Sequence, residues 1–379
     1  MKIFIEADSI VADHISGIGH ATLEVIRGFD KWIGEHPGER CKLTIIVPFG
    51  KKPQLAKYHF RHVHVRSLPP GYKYWNYAFT RTSLPIPVDL WFGRGTYLFL
   101  NYKTWFVPFS HAVMYVQDLG FKILPETLHP KNLPYMQVNF DRWLKRADAI
   151  ATTSQQSADE FVKAFPRYKN RHITIPLGVD PQEFYPRTAA EIEKARTKYK
   201  FPADFFLYIS NIEPRKNIDR LLDAYQKYSD QTKKPAALIL VGGDGWKNEQ
   251  TLQKIHDLQK AGYGVIRPNK HVQDADLPAL YSGARALIAV PLHEGFGLSP
   301  LQAQACGTPV IVSDIPVFRE NLLSVKATYV PFDDVAAIAY ALTKAEAEPI
   351  SNRKQPEISL TWNNTVEKLV AMIKAKKWA

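Results

Sequence analysis

The sequence predicts an α/β protein of two doubly wound domains, and three observations carry that prediction. Short β-branched runs alternate with helix-length amphipathic runs along the chain. Several of the short runs are continuously apolar, as at 238–241, which is typical of parallel strands buried on both faces. The alternating series appears twice, with a break near 178–186. Because helices between parallel strands form right-handed crossover units, each series predicts one layered sheet.

The predicted strands fall into two sets, one for each half of the chain. In the first half they are 2–6, 42–48, 62–67, 112–117, 149–153 and 172–176. In the second half they are 205–210, 237–242, 264–267, 286–290, 309–313 and 328–331. We therefore predict an N-terminal domain over 1–186 and a C-terminal domain over 187–361. An amphipathic helix at 362–379 is expected to pack on the N-terminal domain.

Length and composition are those of an ordinary globular protein. The chain has 379 residues, of which 45% are hydrophobic and 23% charged. It has no apolar run of the ~20 residues that a membrane-spanning helix needs, and its first residues fit a β-strand better than a signal peptide. The two cysteines, Cys41 and Cys306, predict neither a disulfide framework nor a metal cluster. These features favour a cytoplasmic protein.

Much of the net charge of +12 comes from residues 51–110. This stretch holds nine Lys or Arg residues against one acid, Asp89, together with fifteen aromatic residues. Such a surface attracts anions, so we expect peripheral contact with an anionic membrane or a lipid-linked acceptor. The alternative is a solvated basic face above a core rich in Tyr and Trp. Nucleic-acid binding is not favoured, because no recognisable module is present.

Three glycine-bearing or charged segments follow predicted strands, where open α/β sheets bind their ligands. In the first, Gly17 and Gly19 precede a predicted helix at 21–29. Glycines let the backbone approach a phosphate, and a helix N-terminus supplies N–H groups. A dinucleotide fingerprint would need a third glycine where Thr22 stands. A phosphate loop and a structural turn therefore both remain open.

The second segment, 209–217, places Arg215 and Lys216 just before a predicted helix at 218–228. Adjacent cations at a helix start oppose the helix dipole, which prefers anions there. We therefore expect a bound anion that compensates for this arrangement. Ordinary surface charge is the alternative.

The third segment, 293–309, is the most informative. Glu294 precedes a loop formed by Gly295, Phe296, Gly297 and Leu298, and Gln302 lies about one turn into the next helix. Two polar side chains can thus reach one ligand, while the glycines leave backbone amides accessible.

The third segment resembles the signature of the retaining GT-B glycosyltransferases of family GT4, also named glycosyl transferases group 1. That signature has a glutamate, a glycine–phenylalanine–glycine–leucine loop and a second glutamate eight residues after the first. The segments 16–20, 175–180, 213–217 and 276–281 are similar to other parts of that family, in the same order. The resemblance implies two Rossmann-like domains with a cleft between them, the C-terminal one holding the donor.

The resemblance also implies an activity and its residues. The activity is metal-independent transfer of a hexosyl group, such as mannosyl, from a GDP- or UDP-linked sugar to a hydroxyl of a cell-surface polysaccharide or glycolipid, with no further cofactor. The implied catalytic residues are Glu294, Gln117 and Asp118. The implied donor-binding residues are Gly17, Gly19, Arg215, Lys216, Gly295, Phe296, Gly297, Leu298 and Gln302.

Two glutamines depart from the family pattern. Gln302 stands where the family has its second glutamate, which holds the ribose hydroxyls, and Gln117 stands where many relatives have a histidine before Asp118. Glutamine donates and accepts hydrogen bonds but carries no charge and takes no proton near neutral pH. These departures leave open a catalytically degenerate GT-B partner protein. The shared architecture also leaves open a sugar-nucleotide epimerase.

Overall fold

The computed structural model describes residues 1–12, 15–72, 86–323, 327–348, 350 and 353–375. The chain divides into two compact units. Unit 1 comprises Met1–Leu119, Pro134–Gly178 and Leu360–Ala379, and unit 2 comprises Gly120–Leu133 and Val179–Ser359. The main division falls after Gly178, whereas the sequence predicted it after Pro186. One segment from the first half of the chain belongs to unit 2.

The described α-helices are numbered α1 to α13 in chain order. They are α1 Gly17–Glu35, α2 Asp89–Phe92, α3 Gly120–Ile123, α4 Asn132–Arg146, α5 Gln155–Ala164, α6 Ala189–Tyr199, α7 Ile218–Gln231, α8 Glu249–Lys260, α9 Leu277–Gly283, α10 Leu298–Ala305, α11 Pro316–Asn321, α12 Val335–Ala347 and α13 Trp362–Lys374. Within the described ranges, these helices fall short of the length and apolar character needed to cross a bilayer.

Unit 1 is built on a parallel sheet with the strand order β3-β2-β1-β4-β5-β6-β7. The strands are β1 Lys2–Glu6, β2 Lys42–Val47, β3 Val63–Ser67, β4 Thr96–Phe99, β5 His111–Val116, β6 Ala149–Thr152 and β7 His172–Thr174. All six strands predicted for this half are present, most of them a residue or two shorter than predicted. The seventh, β4, was not predicted.

Strand β4 pairs with both β1 and β5 and so lies at the centre of the sheet. All four of its residues are buried, although they belong to the basic and aromatic stretch 51–110. Aromatic side chains of that stretch form one core cluster, whose members include Tyr72, Phe92, Tyr97, Phe99 and Trp105. These rings match the alternative of an aromatic core, whereas Trp91 and Phe109 of the same stretch are exposed. The rings that we expected at a membrane include Tyr74, Trp75, Tyr77 and Phe79, which lie in 73–85, outside the described residues.

Unit 2 is built on a second parallel sheet, with the order β10-β9-β8-β11-β12-β13. Its strands are β8 Phe205–Ile209, β9 Ala237–Val241, β10 Val265–Ile266, β11 Leu287–Ala289, β12 Val310–Ser313 and β13 Ala327–Val330. All six were predicted. The α/β class with two parallel sheets and alternating helices is therefore confirmed.

In both sheets the strand order reverses beside the first strand of the unit. In unit 1, β1 lies between β2 and β4, and in unit 2, β8 lies between β9 and β11. Loops on either side of such a reversal leave in opposite directions, which opens a crevice at the carboxyl ends of the strands. The loops after β1 and β4, and those after β8 and β11, are therefore the places where each unit can hold a ligand.

The C-terminal helix α13 completes unit 1 by packing on α1. A Cβ atom at Gly28 would lie 2.7 Å from the Val366 side chain, so only glycine allows the two helices to approach this closely. The Thr365 hydroxyl donates to the Pro176 carbonyl at 2.8 Å. This helix thus joins the last described part of the chain to the first sheet.

Candidate functional site

The loops after β8 and β11 bring four charged side chains together. The Lys216 ammonium lies 2.6 Å from Glu294 Oε2, and the Arg215 guanidinium lies 3.3 Å from Glu294 Oε1. Arg215 also pairs with Glu213 at 3.0 Å and donates to the His293 carbonyl at 2.8 Å. These side chains are largely buried, with exposed fractions between 5% and 17%. We call this group the charge cluster.

The charge cluster contains Arg215 and Lys216, the two cations beside which we expected an anion. Both residues lie in the short 3-10 turn Pro214–Lys216, just before α7 begins at Ile218. The sequence predicted that a bound anion compensates for these two cations. In the structure, two carboxylates of the chain itself, Glu213 and Glu294, perform that compensation. An incoming anion would therefore compete with Glu294 for Lys216.

The charge cluster also fixes the ionisation of Glu294. Burial alone would raise the pKa of this carboxyl, because a charge is poorly solvated away from water. The nearby Lys216 and Arg215 charges outweigh burial and hold the pKa well below its ordinary value. Glu294 is therefore an anion throughout the neutral and mildly acidic range.

Asn217 links the two loops that carry the charge cluster. Its amide nitrogen donates to the carbonyl of Val290, directly after β11, at 2.9 Å and to that of Phe332 at 2.8 Å. Its backbone is left-handed, with a φ of 58°, which asparagine tolerates better than most residues. The sequence pattern did not predict a role for Asn217. The available signal was an asparagine directly before a helix, but its carbonyl partners are remote in sequence.

The loop before α10 is shaped by Gly297. Its φ of 87° is left-handed, and a Cβ there would lie 2.5 Å from the Phe318 ring. The Phe296 side chain is buried, and its carbonyl accepts from the Asn321 amide at 2.9 Å. Phe296 can therefore contact a bound sugar donor only through its backbone N–H. The predicted contacts of Gly295, Gly297 and Leu298 lie beside it, at the start of α10.

Gln302 lies on α10, as predicted, and its orientation is set by a buried tyrosine. The Tyr281 hydroxyl donates to Gln302 Oε1 at 3.1 Å. Tyr281 is fully buried, so this contact is protected from water. The amide nitrogen of Gln302 then faces away from Tyr281 as a donor. Sequence reasoning missed Tyr281 because nothing local in the chain links it to Gln302.

In unit 1 the two predicted glycines have different surroundings. Helix α1 begins at Gly17, before the predicted start at 21, and the Ser16 hydroxyl accepts from the Gly19 N–H at 3.4 Å. A Cβ at Gly19 would lie 2.7 Å from the Ser9 carbonyl oxygen, whereas nothing lies within 4 Å of one at Gly17. Gly19 therefore allows the helix to pack, and Gly17 is the glycine with room for a ligand.

Gln117 and Asp118 follow β5 and are both held by the loop after β4. The Gln117 amide nitrogen donates to the Leu100 carbonyl at 2.9 Å. The Tyr102 hydroxyl donates to Asp118 Oδ1 at 3.1 Å and accepts from the Asp118 N–H at 3.0 Å. The structure thus brings these two predicted residues together within unit 1. It brings Glu294, Arg215 and Lys216 together within unit 2.

Within the described ranges, no group of three or more His, Cys, Asp or Glu side chains is arranged to hold a metal ion. The positive charge at the unit 2 site comes from Lys216 and Arg215.

Comparison with solved structures defines the fold. The chain superposes on the crystal structure of HepE from Anabaena in complex with UDP-glucose with a TM-score of 0.71. The two share 17% sequence identity, and the match covers 99% of this chain and 100% of that one. This likeness establishes the fold, which is that of the GT-B glycosyltransferases.

A family model matches the sequence of unit 2. Residues 191–359 match the model of the family described as glycosyl transferases group 1. The matched region contains the charge cluster, Gly297 and Gln302.

Two curated relatives come from Escherichia coli. The chain is 35% identical over 213 residues to O-antigen chain mannosyltransferase B. This match covers 56% of this chain and 55% of the relative. It is 31% identical over 234 residues to the serotype-specific mannosyltransferase WbdA, covering 58% of this chain and 28% of the relative. The chain therefore spans about half the length of the first relative and about a quarter of the second.

Proposed function

We propose that this protein is a retaining glycosyltransferase that moves a mannosyl group from a nucleoside-diphosphate sugar to a hydroxyl of a cell-surface polysaccharide or glycolipid. The observation that carries the proposal is the charge cluster at the carboxyl ends of β8 and β11. The names of the two relatives support mannose and an O-antigen-like acceptor. The UDP-glucose bound to HepE supports a nucleotide-sugar donor.

In this proposal, Lys216 and Arg215 stabilise the leaving diphosphate. As the sugar–oxygen bond breaks, negative charge develops on the diphosphate and positive charge on the sugar ring. Cations already fixed in a poorly solvated site stabilise the leaving group without reorganisation at the moment of reaction. They provide the neutralisation that a divalent ion would otherwise supply, so we propose transfer without a metal or cofactor.

Glu294 and the start of α10 act on the sugar. The lowered pKa keeps Glu294 anionic, so it can stabilise positive charge at the reacting carbon. The backbone amides of residues 295–298 lie at the N-terminal end of α10, where the helix dipole favours negatively charged oxygen atoms. Gln302 holds the ribose, and Gln117 and Asp118 contact the sugar or the acceptor hydroxyl.

The first experiment is a titration of the purified protein with GDP, UDP, ADP and dTDP, read by melting temperature. A nucleotide that binds only the folded protein adds about 2.7 kcal/mol of stability at a hundredfold excess over its Kd. A transfer assay follows with the matching mannosyl donor, with and without EDTA, and NMR gives the anomeric configuration of the product.

Each alternative has its own outcome in these assays. Stabilisation by a nucleotide without transfer to any acceptor would favour the degenerate partner protein. Conversion of the nucleotide sugar without an acceptor would favour the epimerase. Inverted product would overturn the retaining mechanism, and loss of transfer in EDTA would overturn metal independence. Absence of any nucleotide effect would overturn the proposal itself.

We also propose peripheral contact with an anionic membrane through α2 and the loop before β5. Leu90, Trp91 and Phe109 are exposed there. The Phe109 N–H donates to Asp89 Oδ2 at 2.7 Å, which ties the loop to the helix, and the Arg94 guanidinium lies 5.4 Å from the Phe109 ring centre. Aromatic rings favour the headgroup layer, and each nearby base adds about 1 kcal/mol at an anionic surface.

Co-sedimentation with phosphatidylserine and phosphatidylcholine vesicles tests the membrane contact. Binding to the anionic vesicles is expected to fade with salt and to weaken in Trp91→Ala. Tyr340→Ala is the matched control, because Tyr340 is an exposed ring of unit 2. Equal binding by the two variants would mean that α2 is not the contact.

A further inference from the structure

The loop after β4 holds the loop after β5 through two different kinds of partner. Gln117 is held by a backbone carbonyl, that of Leu100. Asp118 is held by a side chain, because the Tyr102 hydroxyl donates to Oδ1 and accepts from the Asp118 N–H. One hydroxyl therefore fixes both the carboxylate and the backbone of Asp118. A single substitution can remove it.

The backbone of Tyr102 indicates that this arrangement is specific. Its φ is 57°, in the left-handed region that an aromatic residue rarely adopts. Such a conformation persists only where surrounding contacts enforce it, and residues of this kind cluster at functional sites. Here the ring packs near Phe140, with 6.3 Å between the ring centres, while the hydroxyl reaches Asp118.

The position in the sheet adds to this argument. Tyr102 follows β4, which lies beside β1 at the strand-order reversal of unit 1. Asp118 follows β5, the next strand across the sheet. Both residues therefore lie at the carboxyl ends, where ligands bind. Tyr102 is half-buried, and its hydroxyl reaches a carboxylate at this edge.

We propose that Tyr102 is a positioning residue for glycosyl transfer: its hydroxyl holds the Asp118 carboxylate in the orientation that accepts a hydrogen bond from a hydroxyl of the sugar or acceptor. The inference rests on the proposed function. Asp118 contacts the substrate, and Tyr102 acts through Asp118. A carboxylate held at one oxygen and at its own backbone has little freedom to turn away from that hydroxyl.

Tyr102→Phe tests this role, because it removes the hydroxyl and keeps the ring. We expect kcat to fall about 10- to 100-fold, as for loss of a hydrogen bond to a charged group, with the donor KM within about twofold. Tyr97→Phe is the matched control, since its hydroxyl donates to the Gly93 carbonyl at 2.8 Å, away from the carboxyl ends. This control should lose a similar amount of stability and keep the parental kcat.

A double-mutant cycle with Asp118→Ala separates positioning from a structural effect. In that background, Tyr102→Phe should change kcat by less than about threefold, because coupled residues are not additive. A further tenfold loss there would overturn the inference, as would a Tyr102→Phe enzyme as active as the Tyr97→Phe control. A parent protein without any transfer activity would instead overturn the proposed function, and the inference with it.

Discussion

The ligand-facing loops of the two units are held together in different ways. In unit 2, the loops after β8 and β11 are joined by buried ion pairs among Glu213, Arg215, Lys216 and Glu294. In unit 1, two hydrogen bonds join the loops after β4 and β5. The Tyr102 hydroxyl donates to Asp118, and the Gln117 amide donates to the Leu100 carbonyl. Buried charges are costly when one partner is lost, whereas single hydrogen bonds are worth about 1 kcal/mol. Loss of one charge in unit 2 should therefore cost more stability than loss of one hydrogen bond in unit 1.

The two glutamines that depart from the family pattern also differ between the units, in which end of the amide is bonded. Gln117 donates through its nitrogen to the Leu100 carbonyl, so its oxygen faces the other way as an acceptor. Gln302 accepts at its oxygen from Tyr281, so its nitrogen faces the other way as a donor. The same residue type therefore presents opposite hydrogen-bonding groups in the two units.

The largest expected effect is that of Glu294→Gln on turnover. The substitution keeps the volume but removes the anion between Lys216 and Arg215, and we expect kcat to fall by at least about 100-fold. The buried cations also lose their compensation, so the free energy of unfolding should fall by up to about 3–5 kcal/mol. Steady-state kinetics and urea unfolding measure the two effects. Glu193→Gln, on an exposed pair with Arg196, is the control. A fully active Glu294→Gln enzyme would exclude a catalytic role.

Lys216→Ala should chiefly weaken nucleotide binding. Loss of a charge-assisted contact to the diphosphate is worth about 1.5–3 kcal/mol, or roughly 10- to 100-fold in Kd. Calorimetric titration with the nucleotide that stabilises the parent measures this change. Lys254→Ala is the control, because Lys254 pairs with Asp223 at the surface of the same unit. If both variants bind equally well, Lys216 does not contact the diphosphate.

Substituting glutamate for each glutamine sharpens the comparison between the units. Gln117→Glu cannot donate to the Leu100 carbonyl and places a carboxylate beside it, so the free energy of unfolding should fall by about 1–3 kcal/mol. Gln302→Glu still accepts from Tyr281, so stability should change by no more than about 0.5 kcal/mol and nucleotide binding should persist. Urea unfolding at neutral pH measures both. The opposite order of stabilities would mean that the two amides are oriented the other way.

The smallest expected effect is the pH dependence of the Glu294 contribution. A carboxyl whose pKa is lowered by folding stabilises the protein above its ordinary pKa of 4.5, and that stabilisation is lost as pH falls toward the lowered value. The gap in unfolding free energy between the parent and Glu294→Gln should therefore be constant near neutral pH and narrow below about 4.5. A gap independent of pH down to strongly acidic conditions would contradict the ion-pair explanation.

The sequence predicted the strands better than the contacts between side chains. Twelve of the strands were visible because continuous apolar runs mark buried parallel strands. Strand β4 was missed because it lies among the bases and aromatic rings of the stretch 51–110. Glu294 and Lys216 were predicted from local motifs, but their pairing was not, because it joins residues far apart in the chain. Tyr102, Tyr281 and Asn217 were missed for the same reason.

The packing of α13 on α1 has a consequence for synthesis. During translation, the two members of that helix pair emerge at different times, since Val366 is made long after Gly28. The continuous stretch Val179–Ser359 contains all the strands of the second sheet and can collapse while the ribosome is still working. Until α13 is made, the face of α1 that it covers stays exposed. We therefore expect the nascent N-terminal half to depend more on chaperones than the stretch that forms the second sheet.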